Sequence, residues 1–270
     1  MGPVDLIRKC VNTRIRLKAY VWVISVAGKS KWLLYPFLFL LHGYVPKGIA
    51  IVRGKPIYQY NGYRIEAPID SFEPYIEVFH DKVYDRLSVP KAGDVVIDIG
   101  AYVGMYSMKA SRLVGQNGLV VSVEPLPSNL VYLKSNLKPY SNIKIVDKAL
   151  SNYVGRSKFY AAPGTEACSL TYKKKDFIKV QVTTLDELVK ELELPRVDYI
   201  KMDAEGSDLN ILKGAIKTLR KDYPALSLAC YHPDLNDVPY SGKVMTYLKG
   251  IGYEYITKNG FVYAQRRDNV

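Results

Sequence analysis

Cysteine and long apolar runs are scarce in this chain of 270 residues. Its three cysteines, Cys10, Cys168 and Cys230, are widely spaced and form no Cys-x-x-Cys pair, which argues against a disulfide framework and a zinc site. The two longest apolar stretches, residues 19–27 and 32–45, fall short of the roughly 18 to 20 residues that cross a bilayer. No signal-peptide cleavage pattern follows them. We therefore expect a cytoplasmic protein without a transmembrane helix.

Acidic residues are almost absent from the first 55 positions, which hold ten Lys and Arg residues and one acid, Asp5. This segment carries +9 of the net charge of +12, and its basic residues flank Trp22 and Trp32. We interpret residues 1–55 as a basic, apolar, helical extension. Three roles stay open: a cap or homo-oligomer contact, a peripheral contact of residues 1–45 with the inner membrane surface, or nucleic-acid binding. Residues 56–270 are long enough for one α/β domain with its own core.

A glycine-containing turn follows the apolar run Val95–Ile99. Such a run predicts a strand buried on both faces, and Gly100 and Gly104 allow a small ligand to lie close to the backbone. The fingerprint of a dinucleotide site is incomplete, because Tyr102 stands where the middle glycine of G-x-G-x-x-G would lie beneath a pyrophosphate. The carboxylate of Asp98 would also repel that group. We therefore expect a cationic ligand instead, S-adenosylmethionine (SAM), whose ammonium group would face Asp98.

Two further predicted strands end in polar residues that suit the rest of this cofactor. Residues 119–123 lead into Glu124, which can accept hydrogen bonds from ribose hydroxyls, and residues 143–146 lead to a position suited to the edge of an adenine. In a doubly wound sheet the ligand lies outside the carboxyl ends of the strands. The predicted cofactor-binding residues are Asp98, Gly100, Tyr102, Gly104, Glu124, Asp147, Lys148 and Ala149.

Candidate catalytic residues follow two later strand patterns. Asp203 and Glu205 come after residues 197–202, and His232 comes after residues 225–231. At the ligand edge of a sheet, any of the three could remove a proton from an acceptor. A charge pair at a helix start is the structural alternative for the two acids. Their spacing does not indicate a metal site, and we predict none.

The remaining patterns define the fold class. Asn61-Gly62 and Asn259-Gly260 each lie between alternating apolar and polar residues, which predicts two hairpins. We expect an α/β, class I (Rossmann-like) methyltransferase fold: a seven-stranded, mostly parallel sheet closed by an antiparallel C-terminal hairpin. Other predicted elements are a helix over 79–87, strands over 155–160 and 179–182, and a loop over 161–176.

Several ordered motifs between about residues 75 and 265 resemble the FkbM-type methyltransferases. They are Val96–Gly104, Val123–Pro125, Ala149–Ser151, Thr183–Asp186, Ile200–Gly206 and Leu212–Ala215. The resemblance implies SAM-dependent methylation of hydroxyl oxygens, often on sugars or polyketide-derived products. It also implies that Asp98, Gly100, Gly104 and Glu124 hold the cofactor while Asp203 and Glu205 lie at the reacting end. Tyr102 departs from the asparagine that is common in the family's first motif, and residues 1–55 lie outside the resemblance.

These observations lead us to expect a SAM-dependent O-methyltransferase that acts on a small molecule, a sugar or a glycolipid. Two alternatives stay open. One is an RNA methyltransferase that binds phosphates through the basic extension. Against it, the sequence from Asp203 to Gly206 lacks the Asn/Asp-Pro-Pro-Tyr/Phe box typical of base-amino methylation. The other is a SAM-binding protein without catalytic activity.

Overall fold

The computed structural model describes residues 49–52, 55–68, 71–161, 168–169, 177–231 and 240–266. The predictions for residues 1–45, for His232 and for most of the loop over 161–176 lie outside these ranges, so the three roles of the extension stay predictions. The described residues divide into two compact units, one formed by those up to Arg64 with Pro68, the other by Ile65–Ala67 and those from Ser71 onward. The expected domain boundary at residue 55 also stays a prediction. Within the described ranges, no helix is long and apolar enough to cross a membrane.

The first predicted hairpin is confirmed. Strands β1 (Ile49–Val52), β2 (Lys55–Tyr60) and β3 (Tyr63–Glu66) form a sheet in that order. Asn61 and Gly62 connect β2 and β3 with φ angles of 44° and 80°. Both central residues of a type I′ turn need positive φ, which explains the Asn-Gly pair.

Eleven further strands belong to two sheets. They are β4 (Val95–Ile99), β5 (Leu119–Val123), β6 (Ile143–Val146), β7 (Ala149–Leu150), β8 (Gly155–Ala161), β9 (Cys168–Ser169), β10 (Ile178–Thr183), β11 (Tyr199–Met202), β12 (Ala225–Ala229), β13 (Tyr253–Lys258) and β14 (Phe261–Arg266). The larger sheet has the order β6-β5-β4-β11-β12-β14-β13, and within it β14 runs antiparallel to both of its neighbours. The predicted class I methyltransferase sheet is therefore confirmed.

The central strands are buried on both faces, as their continuous apolar runs predicted. Ile97 on β4, Ile200 on β11 and Leu226 on β12 are at most 1% exposed. Successive strands are added to the sheet in opposite directions on the two sides of the β4–β11 pair: β5 and β6 follow β4 on one side, and β12 follows β11 on the other. This switch point leaves a crevice at the carboxyl ends of the two strands, where ligands bind in such sheets.

The helices cover the larger sheet and its edge. They are α1 (Phe72–Tyr75), α2 (Met105–Val114), α3 (Pro127–Leu137), α4 (Leu185–Glu191), α5 (Asp208–Lys213), α6 (Ile216–Asp222) and α7 (Tyr240–Gly250). The predicted helix over 79–87 is wrong. Helix α1 continues as a π-helical turn, Ile76–His80, and a separate 3-10 turn covers Val83–Asp85. Lys82 has a left-handed φ of 49°, which prevents one continuous helix.

The smaller sheet, in the order β7-β10-β8-β9, lies between β6 and α4 in the chain. Its buried face carries Phe159, Val180 and Val182, which pack with Leu126 and Ala149. The predicted strands over 155–160 and 179–182 are therefore confirmed. Ala149 and Leu150 on β7 and Phe159 on β8 also line the cavity described below, so this sheet forms one of its walls.

Candidate active site

A cavity opens at the carboxyl ends of β4, β5, β11 and β12. Its polar and aromatic lining residues include Glu73, Glu77, Tyr84, Gly100, Tyr102, Glu124, Asn129, Lys148, Lys201, Asp203, Glu205, Ser207 and Tyr231. Apolar walls come from residues such as Met105, Leu150 and Phe159. Residues from distant parts of the chain therefore meet at the predicted edge of the sheet.

Most predicted site residues line this cavity, but three do not. Among the cofactor candidates, Gly100, Tyr102, Glu124, Lys148 and Ala149 are at its surface, as are the catalytic candidates Asp203 and Glu205. The three candidates outside the lining are Asp98, Gly104 and Asp147, and His232 lies outside the described residues.

The expectation that Asp98 faces the cofactor needs correction. Its side chain is fully buried, and Oδ2 accepts a hydrogen bond of 2.6 Å from Ser107 Oγ. Its Oδ1 lies 3.1 Å from Lys201 Nζ, an ion pair whose geometry is not that of a hydrogen bond. Lys201 donates its well-formed hydrogen bond to the Gly100 carbonyl at 2.8 Å. A protein ammonium group thus already neutralises Asp98, so its charge is not available to a ligand.

Packing requires glycine at both of these positions of the turn. A Cβ atom on Gly100, whose φ is +71°, would lie 2.0 Å from the backbone oxygen of Asp203. A Cβ on Gly104 would lie 2.9 Å from the side chains of Leu133 and Leu137. Gly100 therefore permits β4 and β11 to end side by side, and Gly104 permits α3 to pack on the turn.

Glu124 joins the end of β5 to the glycine turn. Its carboxylate accepts hydrogen bonds from the backbone nitrogens of Tyr102 and Leu126, both at 2.9 Å, and a longer one of 3.3 Å from Asn129 Nδ2. Burial raises the pKa of Glu124 to about 7, although these hydrogen bonds oppose the shift. A carboxylate offers about four acceptor positions, so one stays open to a ligand hydroxyl. A second hydroxyl could replace the long bond from Asn129.

Tyr102 has an unexpected role. Its φ is 53°, and its side chain extends to Ser71, whose Oγ forms a hydrogen bond of 2.6 Å with Tyr102 Oη. The residue therefore ties the glycine turn to the segment before α1. This contact gives a structural reason for an aromatic residue at a position where a dinucleotide site needs glycine.

The part of the cavity lined by Glu77, Asp203 and Glu205, which we call its second half, is acidic. Tyr84 donates a hydrogen bond of 3.0 Å to Asp203 Oδ2, and Glu205 and Gly206 both have positive φ angles, 49° and 83°. A left-handed glutamate is uncommon, and such conformations cluster at functional sites. Burial raises the pKa of Glu77 to about 8, with the neighbouring charge of Asp203 as the second cause.

Sequence reasoning missed the segment that closes this half of the cavity, residues 72–85. Buried groups of the sheet hold it, since Tyr199 Oη and Ser227 Oγ both donate to the Tyr84 carbonyl, and Tyr263 Oη donates to the Val83 carbonyl at 2.7 Å. Lys109 on α2 also donates to the Val78 carbonyl at 3.0 Å. These bonds fix Glu77 and Tyr84 over the ends of β4 and β11, although no sequence motif indicates it.

The family model of the methyltransferase FkbM domain matches residues 98–255. This range covers more than half of the chain, from the end of β4 to the C-terminal hairpin. The chain belongs to the FkbM methyltransferase family. It is therefore a SAM-dependent methyltransferase domain, as the ordered motifs predicted.

Named relatives include three methyltransferases at low identity. The 31-O-demethyl-FK506 methyltransferase FkbM of Streptomyces tacrolimicus is 25% identical over 225 residues, covering 70% of this chain and 84% of that protein. The hexuronic acid methyltransferase AglP of Haloferax volcanii is 25% identical over 177 residues, 63% of this chain and 72% of its own. Methyltransferase sdnD of Sordaria araneosa is 25% identical over 175 residues, 52% of this chain and 67% of its own.

A crystal structure of methyltransferase FkbM from Methylobacillus flagellatus is similar over 70% of this chain, with a TM-score of 0.49 and 21% identity. This chain covers 47% of that one, about half of its length.

The cavity fits the cofactor of this family. Five described carboxylates line it, and its two described lysines are already engaged, Lys201 with Asp98 and Lys148 with Glu191 at 2.7 Å. Such a lining attracts a sulfonium and disfavours a diphosphate. Glu124 would hold the ribose, and the apolar wall around Ala149 would receive the adenine. The acidic side chains at the cavity surface are Glu73, Glu77, Glu124, Asp203 and Glu205, whereas Asp98 lies outside the lining. Among the described residues, no group of three or more His, Cys, Asp or Glu side chains could hold a metal ion.

Proposed function

We propose that this FkbM-family protein is an O-methyltransferase that transfers the methyl group of SAM to a hydroxyl of a sugar, a glycolipid or another small molecule. One observation carries the proposal. A single cavity joins the turn at Gly100 to three acidic side chains, Glu77 from the π-helical turn and Asp203 and Glu205 from the segment after β11. An alkyl hydroxyl is a weak nucleophile, and a carboxylate beside it can take its proton.

Bound SAM supplies an electrophilic methyl group on a sulfonium. The chain's part is to orient the acceptor, to exclude water and to receive a proton, because methyl transfer depends mainly on positioning. Glu124 and the turn from Gly100 to Tyr102 would fix the cofactor. The carboxylates of the second half would fix the acceptor and lower the cost of losing its proton.

The names of two relatives support oxygen methylation and a sugar-type acceptor. The name of one refers to a 31-O-demethyl substrate, and the name of another to hexuronic acid. Tyr231 also supports a ring-shaped acceptor, since it lines the cavity and is 37% exposed. The aromatic ring of a tyrosine can pack against a sugar ring while its hydroxyl group contacts water.

The RNA alternative receives less support. The described cavity lining has five carboxylates, which would repel the phosphates beside a target nucleotide. The basic extension on which this alternative depends lies mostly outside the described ranges.

The test is an acceptor screen with methyl-labelled SAM and the full chain. We expect label in a glycan or glycolipid fraction, resistant to ribonuclease and competed by S-adenosylhomocysteine. The label should also survive mild alkaline hydrolysis, because methyl ethers are stable where methyl esters of carboxylates are cleaved. Label confined to ribonuclease-sensitive or alkali-labile material would contradict the proposal.

A further inference from the structure

Among the described residues, Glu77 differs from the other acids of the cavity in that no hydrogen bond or ion pair is formed with its carboxyl group. Asp203 accepts a hydrogen bond from Tyr84, and Glu124 accepts three. Within the part of the chain that the structure describes, no hydrogen bond or ion pair engages the Glu77 carboxylate, although it lines the cavity. Its acceptor positions are therefore available to a bound molecule.

The backbone around Glu77 is held rigidly enough for a defined role. The residue lies in the π-helical turn Ile76–His80, which Asp81 closes by donating its N–H to the Ile76 carbonyl at 2.9 Å. Val78 and Phe79, its neighbours in that turn, are buried. Single π-helical turns are uncommon in proteins, but those that occur are often found at functional sites. The wider turn changes the direction in which a side chain projects. Here the turn adds a carboxyl group to a cavity whose other acids are Glu73 on α1, Glu124 after β5, and Asp203 and Glu205 after β11.

We propose that Glu77 is the general base of the reaction, and that Asp203 is a positioning residue that acts through Tyr84. This inference rests on the proposed O-methyl transfer. The acceptor O–H bond breaks and its proton moves to the Glu77 carboxylate. The oxygen electron pair forms the new bond to the methyl carbon, and the pair of the carbon–sulfur bond returns to sulfur, leaving S-adenosylhomocysteine.

The electrostatic surroundings suit this role. The groups that act on Glu77 are Glu73 and Asp81 on its own segment, Lys201 and Asp203 at the end of β11, and the hydroxyls of Tyr84 and Tyr231. Burial, Asp203, Glu73 and Asp81 raise its pKa to about 8, while Lys201 lowers it. A base is most effective when its pKa lies near the working pH. A bound sulfonium would bring the pKa of Glu77 down toward neutrality, so the carboxylate would form when the cofactor is present.

The experiment compares Glu77→Gln with Asp81→Asn in the full chain. Asp81 is exposed and does not line the cavity, so both variants lose one negative charge of the same segment but only one changes the site. We expect Glu77→Gln to lower kcat roughly 10²- to 10⁴-fold, the usual contribution of a general base, while Asp81→Asn stays close to wild type. The Kd of S-adenosylhomocysteine should change by less than about tenfold in either variant, a loss of at most ~1.4 kcal/mol.

The pH dependence separates a base from a structural group. Below the Glu77 pKa the wild-type kcat/KM should rise about tenfold per pH unit and then level off, because only the deprotonated form accepts the proton. Glu77→Gln should lose this limb, and Glu77→Asp, which keeps a carboxylate, should keep it at a reduced rate. Independently of activity, an infrared titration of the cofactor-free protein should show a carboxyl that ionises near pH 8 in wild type and at a slightly lower pH in Asp81→Asn, because Asp81 is the weakest of the charges that raise the pKa of Glu77. This carboxyl should be missing in Glu77→Gln.

The failures are distinguishable. Wild-type pH dependence and kcat within about threefold in Glu77→Gln, or no such carboxyl in the infrared titration, would overturn the role of Glu77 and leave the proposed O-methylation intact. Transfer to nitrogen or carbon acceptors alone would overturn both proposals, whatever the infrared titration shows.

Discussion

Removal of the Lys201 ammonium group should cost far more stability than removal of the whole ion pair. Lys201 and Asp98 are 6% and 0% exposed, and Asp98 sits in a chain of hydrogen bonds from Ser122 to Ser107 and on to its own Oδ2. Lys201→Met would leave Asp98 charged and buried without its counter-ion. Breaking a buried pair in this way costs about 3–5 kcal/mol.

The double variant Asp98→Asn, Lys201→Met tests whether the uncompensated charge of Asp98 causes the loss of stability. It removes both charges while nearly keeping their volumes, and such replacements of buried pairs are often close to neutral. For a domain of this size, each kcal/mol shifts Tm by about 2–4 °C, so the single variant should melt roughly 6–20 °C lower and the double variant should recover most of that loss. Lys148→Met serves as the control, because its ion pair with Glu191 is exposed and worth less than about 1 kcal/mol.

Thermal unfolding followed by circular dichroism measures all three variants at neutral pH. A Lys201→Met protein that melts no lower than Lys148→Met would refute the idea that Lys201 neutralises Asp98. So would a double variant as unstable as the single one, since the cost would then lie in packing.

Three further variants test the cofactor half of the site. Gly100→Ala should weaken S-adenosylhomocysteine binding more than tenfold in calorimetry, because its Cβ would meet the backbone oxygen of Asp203 at 2.0 Å and force the turn to move. Gly104→Ala should affect stability more than binding, since its Cβ would meet flexible leucine side chains at 2.9 Å, and equal effects on binding would contradict this distinction. Burial raises the pKa of Glu124 to about 7, so its carboxylate forms as the pH rises through that value and only then accepts hydrogen bonds from ribose hydroxyls at full strength. Binding should therefore weaken up to about tenfold per pH unit below the pKa in wild type and stay level in Glu124→Gln; an unchanged slope in the variant would assign the titration to another group.

The sheet could be predicted from local patterns, and the charge balance of the site could not. Val95–Ile99 predicted a doubly buried strand, and the two Asn-Gly turns predicted hairpins, because these signals depend on neighbouring residues. The partner of Asp98 is Lys201, 103 positions away, and β4 and β11 become neighbours only in the folded sheet. Reading Asp98 as a ligand contact failed because nothing local shows that a lysine of the next strand already neutralises it.

Glu77 illustrates a second limit. Its surroundings in the sequence suggested a helix that begins at residue 79, and a glutamate before such a helix has an ordinary role as a helix-start acid. The π-helical turn and the hydrogen bonds from Tyr199, Ser227 and Tyr263 to the segment are long-range features. The incompatibility of Tyr102 with a dinucleotide stays a prediction, and its hydrogen bond to Ser71 became visible only in the fold.

The central claim is that the cavity above the glycine turn binds SAM through an anionic lining, and titration calorimetry tests it directly. The full chain should bind S-adenosylhomocysteine with a stoichiometry of about one and should bind NADH and ATP far more weakly, because five carboxylates line the cavity. Tight binding of NADH or ATP without binding of S-adenosylhomocysteine would contradict it.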